Sequence, residues 1–140
     1  MPLSLREAQP GDIPACIRVF TAAARTAFPW IPPEARGADH FLESLGEEEL
    51  WVAEADGTIA GLVSIHLADA FIHHLYVHPR HHRQGIGRAL LALALRRCGG
   101  HAELKCLEAN RAACRFYAHL GWRAVDWGWS GAGAWIRFRY

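Results

Sequence analysis

Leu75-Tyr76-Val77-His78-Pro79-Arg80-His81-His82-Arg83-Gln84-Gly85-Ile86-Gly87-Arg88-Ala89-Leu90-Leu91 decides how the rest of this chain is read. Phe71 to Val77 is β-branched and aromatic enough for a strand, and Pro79 ends it. From Ile86 the apolar residues Leu90, Leu91, Leu93, Ala94 and Leu95 fit a largely buried helix. Between strand and helix lies a basic turn with two glycines. No acid occurs between Asp69 and Glu103, while Arg80, Arg83, Arg88, Arg96 and Arg97 all fall in that interval. A helix N-terminus carries roughly half a positive charge, so arginines beside it are unfavourable unless an anion joins them. Gly85 and Gly87 let backbone N–H groups face a bound group without a Cβ in the way. The turn therefore reads as a cradle for a phosphate or pyrophosphate.

Two common phosphate loops do not fit. A Walker loop needs Gly-Lys-Ser/Thr, and Gly87 is followed by Arg88 and Ala89. A dinucleotide fingerprint wants a third glycine where Leu90 stands. Glu103 lies at about the spacing of a ribose-binding acid, but it should open a strand rather than close one.

The residues do resemble a known family. Leu75-Tyr76-Val77-x-Pro79 followed by Arg83-Gln84-Gly85-Ile86-Gly87-Arg88-Ala89-Leu90-Leu91 is similar to the acetyl-CoA motif of the Gcn5-related N-acetyltransferases, the GNAT superfamily. A second segment, Asn110-x-x-Ala113-x-x-Phe116-Tyr117-x-x-Leu120-Gly121-Trp122, resembles that family's last helix. The resemblance runs from about Trp51 to Trp122. At one position the chain departs: His82 stands three residues before the first glycine, where the family usually has Gln or Arg.

Taken from its start, the chain has 140 residues, about half of them hydrophobic, and a formal net charge of +1. That suits one domain, spanning 1–140, with a real core, and it gives no nucleic-acid signature. No apolar run is long enough for a membrane span, and the N-terminus lacks a signal-peptide pattern. Cys16, Cys98, Cys106 and Cys114 have no zinc-finger or CxxC spacing, which points to thiols in a reducing cytoplasm. Leu3 to Ala8 alternates like a short strand. Gly11-Asp12 opens a helix carrying Ile13, Ile17, Val19 and Phe20. Phe28-Pro29-Trp30-Ile31-Pro32-Pro33 breaks that helix; it is either a wall of a substrate pocket or a hydrophobic clamp. A second helix near Ala38 to Leu45 precedes strands at Leu50 to Ala55, Thr58 to Leu67 and Phe71 to Val77, with Asp56-Gly57 as a hairpin turn. After the glycine-turn helix come a strand at Ala102 to Leu107, a helix at Glu108 to Leu120, and a terminal strand pair, Trp122 to Trp129 and Ala134 to Tyr140. Strands alternating with helices and closing on a hairpin make a mixed α/β sheet. The resemblance implies the same fold: about seven strands, about four helices, and a splayed centre that holds the cofactor.

The resemblance also implies the chemistry. Acetyl-CoA would be the donor, and an amine of a small molecule or peptide the acceptor. Leu75, Tyr76 and Val77 would pair with the pantetheine arm like an added strand. His82, Arg83, Gln84, Gly85, Ile86, Gly87 and Arg88 would surround the pyrophosphate. Tyr117 is placed where the family has the acid that reprotonates the departing thiolate, next to the cofactor. A tyrosine's reference pKa exceeds a thiol's by roughly 1.5 units, so full transfer is uphill by about 2 kcal/mol before local tuning. Asn110, with Ala113 beside it, is either a cofactor contact or a helix cap. Asn110, Cys114 and Tyr117 share one helix face at i, i+4 and i+7. His73 and His74 would point to opposite faces of their strand. His73 is the candidate base, directly or through water, against a merely sheet-lining role. His74, Phe28 and Trp30 are candidate acceptor contacts. Trp127, Trp129 and Trp135 could join them, or stack in the core, or cover a dimer surface, so both monomer and homodimer stay open.

Glu47-Glu48-Glu49 reads as a solvated turn, against the alternative of an acidic cluster for a polyamine or basic peptide. His73, His74, His78, His81 and His82 could instead form a metal site, but their spacing matches no zinc signature and no acid lies nearby in sequence to complete a set, so no metal is expected. A non-catalytic acyl-CoA sensor is the rival reading.

Overall fold

The strand, turn and helix form where the sequence places them. Phe71–Val77 is a strand (β4), Pro79–His81 a short 3-10 turn, and Ile86–Arg97 a helix (α3). The computed structural model describes residues 3–31 and 38–140, so Pro32 and Pro33 lie outside the described residues. The remaining elements are β1 (Leu3–Glu7), α1 (Ile13–Ala27), α2 (Ala38–Leu45), β2 (Glu49–Ala55), β3 (Thr58–His66), β5 (Glu103–Leu107), α4 (Arg111–His119), β6 (Arg123–Ser130) and β7 (Gly133–Arg139). The seven strands make one sheet in the order β1-β2-β3-β4-β5-β7-β6. Every neighbouring pair is antiparallel except β4 and β5. This is the mixed sheet with four flanking α-helices that the sequence predicts.

Two apolar layers sandwich the sheet. Leu62 and Val52 pack with Cys16, Val19, Phe20 and Phe41 on the side of α1 and α2. Val63, Ile65 and Ile72 pack with Ile86, Leu90 and Leu91 on the side of α3. A strand covered on both faces reads as a nearly continuous apolar run, which Ile59-Ala60-Gly61-Leu62-Val63 is. Leu90 is fully buried, and its transfer from water contributes about 2 kcal/mol. Helix α3 can lie this close because Gly61 has no side chain. A Cβ there would sit 3.0 Å from both Ile86 Cγ2 and Leu90 Cδ1.

Polar ties fix the ends. Arg6 on β1 holds Asp12 at 2.7 Å and Glu54 at 2.6 Å, joining the start of α1 to β1 and β2. The Arg6 guanidinium, with the Gln9 amide, lowers the Asp12 carboxyl to about 2. The helix expected from Glu108 begins at Arg111, because Asn110 caps it by accepting the Ala113 N–H at 3.3 Å. The terminal hairpin turns over Gly131 and Ala132, with Ser130 paired to Gly133. Trp122 lies outside β6 and is buried against Tyr117. No helix among the described residues is long and apolar enough to cross a membrane.

Candidate active site

Strands β4 and β5 pair only at Phe71–Glu103 and Ile72–Leu104, and then part. Beyond Ile72, the edge of β4 that faced β5 has no strand beside it. Up to the Val77 carbonyl, which His82 engages, its outward N–H and C=O groups have no strand partner and can receive an extended ligand. The gap is a cleft of about 800 Å³. Leu75, Tyr76 and Val77 line one side of it, and Lys105, Cys106 and Leu107 the other. The glycine turn contributes His82, Arg83 and Gly85 to Arg88; α4 contributes Asn110, Ala113, Phe116 and Tyr117.

The turn is wound for anions. Arg83 has φ +64° and Gly85, which precedes α3, has φ +79°. The Arg83 value is uncommon for a residue with a side chain. Among the described residues, no backbone N–H from Arg83 to Arg88 finds an acceptor; the first bonded amide is that of Ala89, to Gly85. Arg83 and Arg88 are exposed and pair with no described acid. Arg97 is different. It holds Glu49 at 2.6 Å and lies 5.7 Å from the centre of the Trp51 ring. One of the five arginines is thus occupied, because the interval is acid-free along the chain but not in space. His82 donates from Nε2 to the Val77 carbonyl at 3.2 Å, so its ring is turned back to the strand end. Gln84 Oε1 lies 3.2 Å from His81 Nδ1. Desolvation, and then the charges of Arg80, His81 and His82, hold His78 below the usual imidazole range.

The opposite-face expectation for His73 and His74 is corrected by a β-bulge. Ser64 faces His74 and Ile65 faces Ile72, which leaves His73 as the extra residue on β4. A bulge breaks the two-residue alternation and re-aims side chains. The two imidazoles stack, with centroids 4.2 Å apart and planes 21° apart. His74 is buried against Phe20, Phe41 and Tyr76. Its Nε2 lies 2.8 Å from Ser44 Oγ. The Ser44 hydroxyl already donates to the Phe41 carbonyl at 2.7 Å, so His74 must be the donor to Ser44. His73 is 38% exposed at its side chain, and its Nδ1 lies 2.7 Å from Glu48 Oε2. Both histidines line the cleft.

Glu48 corrects a second expectation. Its side chain is only 7% exposed, and Oε1 is buried without a hydrogen-bond partner among the described residues. Glu49 is the first residue of β2, paired to Arg97. Of the acidic run, only Glu47 is an exposed turn residue as expected; Glu48 and Glu49 are not. Donor atoms of Glu48, His73 and His74 lie within 4.8 Å of one another. An ion bound through an imidazole nitrogen lies in that ring's plane, and two nearly parallel planes share no such point nearby. One ion could join both rings only if a ring turned.

Tyr117 is buried among Phe116, Trp122 and Phe138. Its hydroxyl bonds to no described residue, yet it is not sealed from solvent, and the residue lines the cleft. Burial, helped by Cys106, Tyr76 and Cys114, pushes Tyr117 far above the usual phenol range. Burial likewise takes Tyr76 up to about 12. The face expected for Asn110, Cys114 and Tyr117 divides. Asn110 and Tyr117 look into the cleft, while Cys114 turns to Cys106, with the sulfurs 3.7 Å apart. Burial and then Cys114 raise the Cys106 thiol well above its ordinary value.

Of the aromatic candidates, Phe28 lines the cleft. Trp30 stands edge-on to Phe28 at 5.8 Å, and with Trp129 it lines a second cavity of about 760 Å³. Trp127 and Trp129 are largely exposed, and Trp135 carries the Lys105 ammonium 4.4 Å from its ring centre. Sequence reasoning missed Phe20, Glu48 and Cys106. For Phe20, helical periodicity signals a buried face, but nothing local says that the face meets a cleft.

A model of the acetyltransferase (GNAT) family matches residues 17–122. The peptidyl-lysine N-acetyltransferase YiaC of Escherichia coli is 31% identical over 133 residues, covering 89% of this chain and 86% of that protein. The L-methionine sulfoximine/L-methionine sulfone acetyltransferase of Salmonella typhimurium is 30% identical over 135 residues, covering 85% and 79%. Among solved structures, the PaiA N-acetyltransferase of Thermoplasma acidophilum in complex with coenzyme A superposes with a TM-score of 0.79 at 20% identity, over 100% of both chains.

Proposed function

The chain belongs to the acetyltransferase (GNAT) family and is an N-acetyltransferase, and from that premise we propose that it moves the acetyl group of acetyl-CoA to a primary amine of a small molecule or peptide, by direct attack with both substrates bound. In this reading residues 1–140 form a single catalytic domain. The observation that carries it is the parting of β4 and β5 with unbonded amides at one end of the gap. A free strand edge suits a pantetheine arm, and the N–H groups of Arg83 to Arg88 suit a pyrophosphate. The family relatives support this: one solved neighbour holds coenzyme A, and others carry names of enzymes that act on lysine side chains or amino-acid analogues.

The thioester supplies an activated acyl carbon. What this chain's residues must do follows from the electron count. The amine nitrogen forms a bond to that carbon, and the carbon–sulfur bond breaks. The nitrogen sheds one proton and the departing sulfur gains one. His73, on the cleft wall, takes the nitrogen's proton, directly or through water. A backbone N–H near Tyr76 or Val77 faces the oxygen on which charge grows. Tyr117 gives or shares a proton with the sulfur. Burial makes its proton harder to release, but a thiolate in the same cleft is raised by the same desolvation, as the Cys106 thiol is. The gap between donor and acceptor, not either value alone, sets the cost. Cys106 stays a thiol and is poorly suited to carry an acyl group itself, which favours direct attack.

Calorimetry with coenzyme A and acetyl-CoA at low ionic strength should give 1:1 binding, with release of thiol when an accepted amine is added. Folded protein that gives no heat with either ligand overturns this reading. Saturable binding without thiol release across a broad amine panel leaves a sensor.

A further inference from the structure

A buried carboxylate half satisfied, beside a histidine extruded by a bulge, needs an explanation. Glu48 follows α2 and precedes β2; His73 is 25 residues away on β4. Glu48 reaches His73 with one oxygen and leaves the other, Oε1, buried and unpartnered among the described residues. A carboxylate kept only to fasten a loop to a strand would be expected to have both oxygens bonded, since each unpaired buried oxygen costs stability.

The hydrogen-bond count also places a proton on one nitrogen of each ring. An ionised carboxylate only accepts, so the proton between His73 and Glu48 sits on Nδ1. Nε2 of His73 has no partner among the described residues, and the ring lines the cleft. Its stacked neighbour donates from Nε2 to Ser44. The bulge thus sets two imidazoles face to face, one donating from Nδ1 and the other from Nε2. Stacking at 4.2 Å further limits rotation of either ring.

We infer that Glu48 is a positioning residue: it holds His73 as the Nδ1–H tautomer, so that Nε2 carries the lone pair toward the acceptor amine. This rests on the reading of His73 as the base. The proton balance is simple. Nε2 gains the proton that the acceptor nitrogen sheds, Nδ1 keeps its own, and Glu48 stays ionised, as in other carboxylate–histidine pairs.

Three substitutions and two readouts separate the possibilities. In long-range proton–nitrogen NMR spectra of labelled wild-type protein, His73 should show the Nδ1–H pattern and His74 the Nε2–H pattern. Glu48→Leu should abolish the first and leave the second. With a lysine-bearing peptide and L-methionine sulfone as acceptors, Glu48→Leu should lower kcat about 10²-fold, with KM for acetyl-CoA within about twofold of wild type. Glu48→Gln, which keeps an accepting oxygen and the shape, should recover part of both signals; it also serves if the leucine variant misfolds. A purely structural Glu48 would predict no such rescue. An unchanged His73 tautomer, or wild-type turnover in a folded Glu48→Leu protein, overturns the inference. His73→Gln distinguishes the parent reading: wild-type turnover there sinks the base assignment itself. In the His73→Gln background Glu48→Leu should have no further effect on kcat; a further loss would mean that Glu48 acts independently.

Discussion

The two ends of the cleft are made of different material. At the glycine turn the proposed contacts are main-chain amides in one continuous stretch, Arg83 to Arg88. At the bulge they are side chains from separate places: Ser44 at the end of α2, Glu48 in a loop, His73 and His74 on β4. The first end is coded by local backbone conformation, so its geometry travels with a short sequence. The second exists only once β2, β3 and β4 have paired in register. The two ends should also differ in what they govern. Backbone amides and arginines hold a ligand's charge equally before and during reaction, so they set affinity. Side chains that move protons act only as bonds change, so they set turnover.

Tyr117 offers the harshest way to break that division. Tyr117→Phe keeps the ring among Phe116, Trp122 and Phe138 and removes only the hydroxyl. We expect kcat to fall about 10²-fold, with acetyl-CoA affinity and melting temperature nearly unchanged. The hydroxyl bonds to no described residue, so its loss leaves no orphaned partner in the fold. If stopped-flow turnover is unaffected, Tyr117 is not the proton source. If affinity falls instead, the α4 wall belongs with the binding end.

The same division explains what could be read from residues alone. The strand Phe71–Val77 and its turn into α3 are local matters of β-branching, proline and glycine, and they form at the expected residues. The Asp56-Gly57 hairpin joins β2 and β3 for the same reason. The bulge leaves no such mark, because Phe71 to Val77 reads as an unbroken strand whichever residue is extruded. Glu48 looks like one acid in a charged run until its partner arrives from 25 residues away. Arg97 looks like part of a basic patch until Glu49 arrives from 48 residues away. Cys114 shares a helix face with Tyr117 in projection. In the fold, Cys106 on β5 lies close to it, and it turns that way. For Glu48 and Arg97 the decisive contact is long-range, and no short window of sequence contains both partners; Cys106 and Cys114 lie only eight residues apart, but on a strand and a helix whose packing the sequence does not spell out.

Charge at the turn gives an intermediate test. Arg83→Ala and Arg88→Ala should each weaken acetyl-CoA binding about tenfold, as expected for a lost charge-assisted contact, and should flatten the salt dependence of Kd. Turnover at saturating acetyl-CoA should be spared. Arg97→Ala is the internal control, since its guanidinium is committed to Glu49 and Trp51. It should cost some stability and leave affinity alone. Titrations at two salt concentrations check all three. Loss of affinity in Arg97→Ala equal to that of Arg83→Ala would mean that the whole arginine run acts as a diffuse field, not as a shaped cradle.

The smallest expected effect isolates the backbone from the charge. Arg83 sits at φ +64°, where a residue with a Cβ costs roughly 1–2 kcal/mol relative to its preferred regions. Arg83→Ala removes the guanidinium and keeps that strain. Arg83→Gly removes both, but adds roughly 0.5–1 kcal/mol of unfolded-state entropy. The glycine variant should therefore be more stable than the alanine variant by up to about 1.5 kcal/mol in urea unfolding, while both lose the same acetyl-CoA affinity. A strained turn at the binding end would then be keeping an arginine in place for its charge at a measurable cost to the fold. Equal stabilities would place the strain elsewhere. A glycine variant with better affinity than alanine would show that the loop's conformation, and not the side chain alone, limits how well the amides meet their anion.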